Sequence, residues 1–335
     1  MARPGLGELK IISTVYVFMK FTVNMQQENP GCPIDYRYSL SQLAEAPEKA
    51  VRSLYVVGGL YGNPEAQQKL LSILHEEPGA EVVFNGDFNW FNIDHRSYVD
   101  VNEFVLTHTA IRGNVETELT QTESRGCGCS YPAWVAKDMV DGSNAIIEIL
   151  RSTAIHYPEL TERLAALPRF LVYRIGAARI GIVHGDAASL SGWGFSQECL
   201  ADQMHLEQAK IWFIRTGMDV YACSHTCLPV LKRLNLGCRV GFIINNGAAG
   251  MPNFIDSHHG LVTRIADSPC RHVAPIYGVN HGRLYVDAIA LDYDQQKWLA
   301  RFLENWPEGS PAHESYYSRI ANGPDYRLQQ ALRLT

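Results

Sequence analysis

The chain has 335 residues, enough for one large domain or two ordinary ones, and 46% of them are hydrophobic against 19% charged. That balance suits a packed core and excludes a generally disordered chain. A formal net charge of −6 provides no positive footprint for a phosphate-rich polymer, so nucleic acid is not the expected partner.

The N-terminal stretch "LKIISTVYVFMKFTV" is apolar, yet Lys10 and Lys20 bracket a run too short to span a membrane. Glu8 stands where a signal peptide would carry positive charge. Residues 1–50 therefore read as an N-terminal extension partly outside the core, and 51–335 as a single domain, with a cytoplasmic location and no membrane partner expected. The eight cysteines, Cys32, Cys127, Cys129, Cys199, Cys223, Cys227, Cys238 and Cys270, are scattered. Such spacing points to reduced thiols, not a disulfide framework. Cys127 and Cys129 alone are too little for a metal site.

From Leu54 the pattern becomes regular. "SLYVVGG" predicts a strand and a glycine-rich turn, followed by a helix through "PEAQQKLLSILHEE" with Pro64 in its first turn. "AEVVFNGDF" predicts a second strand ending at Asp87, and "VLTHTAIRGNVE" a third ending at Asn114. A helical pattern covers roughly 132–167. "RFLVYRIGAARIGIVHGD" then reads as a hairpin turning at Gly176, followed by a helix over about 196–216. "DVYACSHT" and "RVGFIINNG" are two more strands. In the tail, "LVTRIADS", "LYVDAIALDYD" and "KWLARFLENW" read as antiparallel strands. Alternating strands and helices followed by a run of strands predict an α/β architecture in which a second sheet packs on the first.

In such folds functional groups gather at the carboxyl ends of strands. Those ends carry Gly59 to Asn63, Asp87, Asn114, His184, His225 and the pair Asn246-Gly247. An aspartate, an asparagine and two histidines form a nitrogen and oxygen ligand set suited to Mn, Fe, Zn or Ni, unlike a thiolate cage. Taken singly, Asp87 would only end a strand in a turn, and each histidine would be an ordinary core residue. Gly58, Gly59 and Gly62 do not meet the G-x-G-x-x-G spacing. The backbone N–H groups of that loop, at a helix N-terminus, read instead as an anion site. Gly62, Asn63, Asn246 and Gly247 would then orient phosphate, with Tyr61 either bonding it or filling space. "RGCGCSYPAWV" follows Asn114 closely and reads as a tight crossing rather than a substrate loop. "HESYYSRIANGPDY" is polar and aromatic without a legible role.

The ordered set Gly62-Asn63, Gly86-Asp87, Gly113-Asn114, His184-Gly185, His225-Thr226-Cys227 and "NNGAAG" resembles the calcineurin-like metallophosphoesterases, closest to their small bacterial phosphodiesterase branch. The likeness runs from about Leu54 to Gly250. It implies a four-layer α/β/β/α sandwich of two mixed sheets flanked by helices, with a two-metal site that hydrolyses phosphate esters. The family's first-metal ligands, an Asp-x-His and a later His, fall here on Gly59, Tyr61 and Cys227. The bridging aspartate, Asp87, and the second-metal ligands Asn114, His184 and His225 are kept. One strong divalent site and a doubtful second are therefore implied, with Cys227 offering sulfur. The family's leaving-group histidine falls on Val115, which makes Glu116 the candidate acid. The expected activity is phosphoesterase action on a small phosphorylated mono- or diester, or, as the alternative, binding of a phosphorylated ligand or a protein by a catalytically impaired relative.

Overall fold

The computed structural model describes residues 33–334. After a 3₁₀ turn at Ile34–Tyr36 come α1 (Leu40–Ala44), β1 (Glu48–Ala50), β2 (Ser53–Val57), α2 (Pro64–His75), β3 (Glu81–Asn85), α3 (His95–Leu106), β4 (Thr109–Ile111) and α4 (Asn114–Leu119). Two helices, α5 (Lys137–Ala154) and α6 (Pro158–Ala165), lead into β5 (Phe170–Ile175) and β6 (Ala178–Val183). A 3₁₀ turn at Cys199–Ala201 precedes α7 (Gln203–Thr216). The strands β7 (Val220–Cys223), β8 (Pro229–Asn235), β9 (Val240–Asn246), β10 (Gly260–Ala266), β11 (Tyr277–His281) and β12 (Leu284–Leu291) follow. The described chain closes with α8 (Gln295–Asn305), α9 (Pro311–Asn322), α10 (Leu328–Ala331) and β13 (Leu332–Arg333).

The strands make two mixed sheets, ordered β1-β5-β6-β7-β9-β8-β13 and β11-β12-β10-β2-β3-β4. Strand alternation explains why they stack. Leu54 and Val56 of β2 point into the space between the sheets, with Val83, Ile180, Ile182, Val220 and Ile244. Tyr55 and Val57 point the other way, onto Leu70 and Ile73 of α2 and Trp298 and Phe302 of α8. The far face of the other sheet buries Tyr221 and Ile243 against Trp212 and Phe213 of α7. Both faces of each sheet are thus apolar, and the result is a four-layer α/β/β/α sandwich.

One expectation is corrected and one strand is added. Of residues 1–50, the described part from 33 onward packs on the core: β1 pairs in parallel with β5, and Tyr36, Tyr38, Leu40 and Leu43 are buried. The apolar run before them lies outside the described residues, as does Cys32. "KWLARFLENW" is helix α8, because Trp298 and Phe302, four apart, bury one face while the Asp294 side chain accepts the N–H of Lys297 as N-cap. β8, "PVLKRLN", was not anticipated, being shortly after a turn and half polar. Among the described residues no disulfide forms, and no helix is long and apolar enough to cross a membrane.

Candidate metal centre and its cavity

The loops that follow β2, β3, β4, β6 and β7 meet at the carboxyl ends of parallel strands from both sheets. Two glycines permit this approach. Gly86 has φ +80°, and a Cβ on it would lie 2.5 Å from the backbone nitrogen of Gly113. A Cβ on Gly113 would lie 2.2 Å from Asp87 Oδ1. Asp87 itself adopts φ +53°, a conformation that costs a non-glycine residue energy and is concentrated at functional sites.

Around His184 Nε2 stand Asn114 Oδ1 at 3.1 Å, Asp87 Oδ2 at 3.2 Å and His225 Nδ1 at 3.3 Å. Backbone groups aim each of them. His184 Nδ1 donates to the Asn85 carbonyl at 2.7 Å, and His225 Nε2 to that of Cys129 at 3.0 Å. These bonds leave lone pairs on His184 Nε2 and His225 Nδ1, both turned to the common centre. Asn114 Nδ2 donates to the Cys127 carbonyl at 2.8 Å, which turns Oδ1 inward. Asp87 Oδ1 accepts the Val115 N–H at 3.1 Å. Four electron-rich atoms at one point repel unless a cation or a proton lies among them. Imidazoles fixed by backbone carbonyls beside a carboxylate fit a divalent metal.

The titration behaviour follows from this crowding. Burial lowers the pKa of His184, but the Asp87 carboxylate outweighs it and the net direction is upward. His225 is pushed down to about 3, by burial and then by the charge on His184. Asp87 stays below the usual carboxylate range despite its burial, because both histidines and the Val115 amide favour its charge.

Several candidates have other tasks. Glu116 is buried and accepts the N–H groups of Asp87 at 2.7 Å, Gly113 at 3.0 Å and Phe88 at 3.1 Å. Burial and then Asp87 raise it to about 7. It ties the β3 and β4 loops together and does not line the cavity, so it is not placed as the leaving-group acid. Four donors of the expected anion loop are already taken. The N–H groups of Gly59, Tyr61 and Gly62 bind the carbonyls of Gly86, Asp87 and Phe88, and that of Asn63 binds Leu60. The Asn63 side chain caps α2 by accepting the N–H groups of Glu65 and Ala66. Asn246 donates to the carbonyls of Gly58 and Leu261, while the Gly247 N–H is taken by Asn245. Gly62, Asn63, Asn246 and Gly247 therefore build the site's frame without facing a ligand.

Tyr61 and Cys227, on which the resemblance placed two first-metal ligand positions, bond to each other: Tyr61 Oη lies 2.9 Å from Cys227 Sγ. Both sit at positive φ, +55° and +58°. Burial keeps the thiol protonated, and Cys227 stands outside the group Asp87, His184 and His225, whose ligand atoms lie within 4.8 Å of one another. In this structure its contact is with Tyr61 and not with that group. A second grouping, Glu77, Cys270 and His272, is closed to metal by an ion pair. Arg264 donates twice to the Glu77 carboxylate, at 2.7 and 2.8 Å, and Tyr55 donates to it at 2.7 Å.

A cavity of about 430 Å³ opens onto Asp87, Asn114 and His225. Its walls include Trp90, Tyr131, Trp134, Trp193, Tyr316 and Arg319. Tyr131 and Trp134 come from the "RGCGCSYPAWV" loop, which is thus both a tight crossing and a cavity wall. Tyr316 and Arg319 come from α9. Reasoning from sequence missed Trp193 and Arg319; the one signal was an arginine among tyrosines in "SYYSRIANG".

No protein-family model and no curated protein matches the chain. Solved structures do. A metallophosphoesterase from Sphaerobacter thermophilus superposes with a TM-score of 0.54 at 15% identity, covering 82% of this chain and 100% of that one. The fold is that of the metallophosphoesterases. A hypothetical protein from Pyrococcus horikoshii matches equally well, with a TM-score of 0.54 at 17% identity over 82% of this chain and 99% of that one. At these identities the likeness concerns architecture, and the metallophosphoesterase fold accounts for strand ends of both sheets meeting at Asp87, Asn114, His184 and His225.

Proposed function

We propose that the protein is a metal-dependent phosphoesterase that holds one divalent ion through Asp87, Asn114, His184 and His225. The observation carrying this reading is the convergence of four lone-pair donors, three of them aimed by the carbonyls of Asn85, Cys127 and Cys129. An ion there would polarise a phosphoryl oxygen and favour ionisation of a water at neutral pH. The chain's own residues supply the rest. Asp87, Asn114 and His225 line the cavity while His184 is fully buried, so these residues would hold an ion within reach of a phosphate ester in the cavity. The aromatic walls lower the polarity around a bound ester and so strengthen its electrostatic contacts.

The test is hydrolysis of bis(4-nitrophenyl) phosphate and 4-nitrophenyl phosphate by protein loaded with Mn, Fe, Zn or Ni. Turnover that disappears in Asp87→Asn and His184→Ala supports the reading; a folded, metal-loaded protein inert to both esters overturns it. The Tyr61–Cys227 contact, which fills the first-metal position, favours the alternative: binding of a phosphorylated ligand without turnover. That outcome would appear as tight phosphate binding with no hydrolysis.

A further inference from the structure

Resting on the phosphoesterase reading of this site, we infer that Arg319 anchors the phosphate, supplying positive charge where the first metal's ligands are lost, and that the ester carries a flat aromatic group received by Trp134 and Trp193. Arg319 is the only cation among the residues lining the cavity. Among the described residues it has no carboxylate partner. Its guanidinium makes a single protein hydrogen bond, from Nη2 to the Cys227 carbonyl at 2.5 Å, and its buried Nε has none. A guanidinium with an idle, desolvated N–H is costly, and its planar fork matches a phosphate.

The position is as informative as the lack of a partner. Cys227 and Tyr61 occupy the lost ligand positions, so a guanidinium tethered to the Cys227 backbone brings its charge to that half of the site.

The remaining walls describe the rest of the ligand. Trp134 is an apolar side chain left 57% exposed, at the cavity wall. Trp193 lies edge-on to His225, ring centroids 5.7 Å apart, with Tyr131 5.8 Å away on its other contact. One guanidinium and no lysine suit a single phosphate; a polyphosphate chain would also face Asp87 and the exposed Glu198. Indole surfaces beside a phosphate anchor suit a planar ring.

Calorimetric titration of the full chain with phenylphosphonate and methylphosphonate, with and without Mn²⁺, tests this. Arg319→Gln weakens both ligands about tenfold or more, while Arg319→Lys retains part of the affinity and Mn²⁺ binding stays unchanged in each. Trp134→Ala weakens phenylphosphonate about tenfold and leaves methylphosphonate as it was. Wild-type affinity in Arg319→Gln overturns the anchor, and equal losses for both ligands in Trp134→Ala overturn the aromatic class. Binding that needs Arg319 in a protein inert to phosphate esters sustains the inference and removes the esterase reading. Hydrolysis undiminished in Arg319→Gln does the reverse.

Discussion

Glu116 separates a framework role from a catalytic one. Its carboxylate accepts three backbone N–H groups, and the amide of Glu116→Gln can replace only one of its two acceptor oxygens. The variant loses about 1–3 kcal/mol of stability in urea unfolding, and metal affinity per folded molecule stays near wild type. An acid on the reaction path would instead erase a limb of the pH–rate profile without destabilising the fold. His184→Ala has the opposite signature: affinity for Mn²⁺ falls about 100-fold or more by calorimetry, beyond the 10- to 100-fold expected of an outer-sphere residue. Asp87, Asn114, His184 and His225 were legible in the sequence because each follows a short apolar strand and stands beside glycine or a small residue. Asn63 and Asn246 were misread for the same reason. Their polarity at strand ends does not reveal that carbonyls and amides of neighbouring loops already occupy them.

At the scale of elements, α2 carries a test at each end. Its N-cap, Asn63, also donates to the Gly250 carbonyl at 3.0 Å. Asn63→Ala lowers stability by about 1–2 kcal/mol in denaturant titration and leaves phosphonate affinity unaltered, as a framework residue should. Just past its last turn, Glu77 is clamped by Arg264 of β10 and Tyr55 of β2. Burial alone would raise the Glu77 pKa, but the hydrogen bonds from Arg264 and Tyr55 prevail and bring it to about 2. Because the folded value lies below the unfolded one, the folded state binds fewer protons in this range. The clamp's stability is full above about pH 4.5 and is lost as pH falls toward 2. Unfolding free energy measured between pH 6 and 3 therefore declines, and Glu77→Gln flattens that decline. Elements with clean periodicity, such as β2, α2 and the β5–β6 hairpin, could be read directly. α8 misled because its aromatic residues resemble a strand until Trp298, Phe302 and Trp306 are seen to recur every four.

For the whole molecule, the strand order mixes distant segments, and that is where the sequence was least informative. β1 joins a sheet edge beside β5, about 120 residues later in the chain, and Arg319 bonds across the cavity to the carbonyl of Cys227, 92 residues earlier. No local pattern encodes such meetings. Tyr36, Tyr38, Leu40 and Leu43 are buried against the α7 side of the sandwich. At about 1.5–3 kcal/mol each, their loss would remove roughly 6–12 kcal/mol, comparable with the whole stability of a typical domain. Deleting residues 1–50 therefore yields protein without a cooperative thermal transition by calorimetry.

The Cys129 carbonyl receives two donors at once, His225 Nε2 at 3.0 Å and Trp193 Nε1 at 2.9 Å. One oxygen thus links a proposed ligand of the ion to a proposed wall of the guest's site. Whatever tilts the indole alters the electron density reaching the imidazole, so guest and ion must strengthen or weaken each other by the same factor. A phosphonate that sharpens Mn²⁺ binding fivefold will itself bind fivefold better once Mn²⁺ is present.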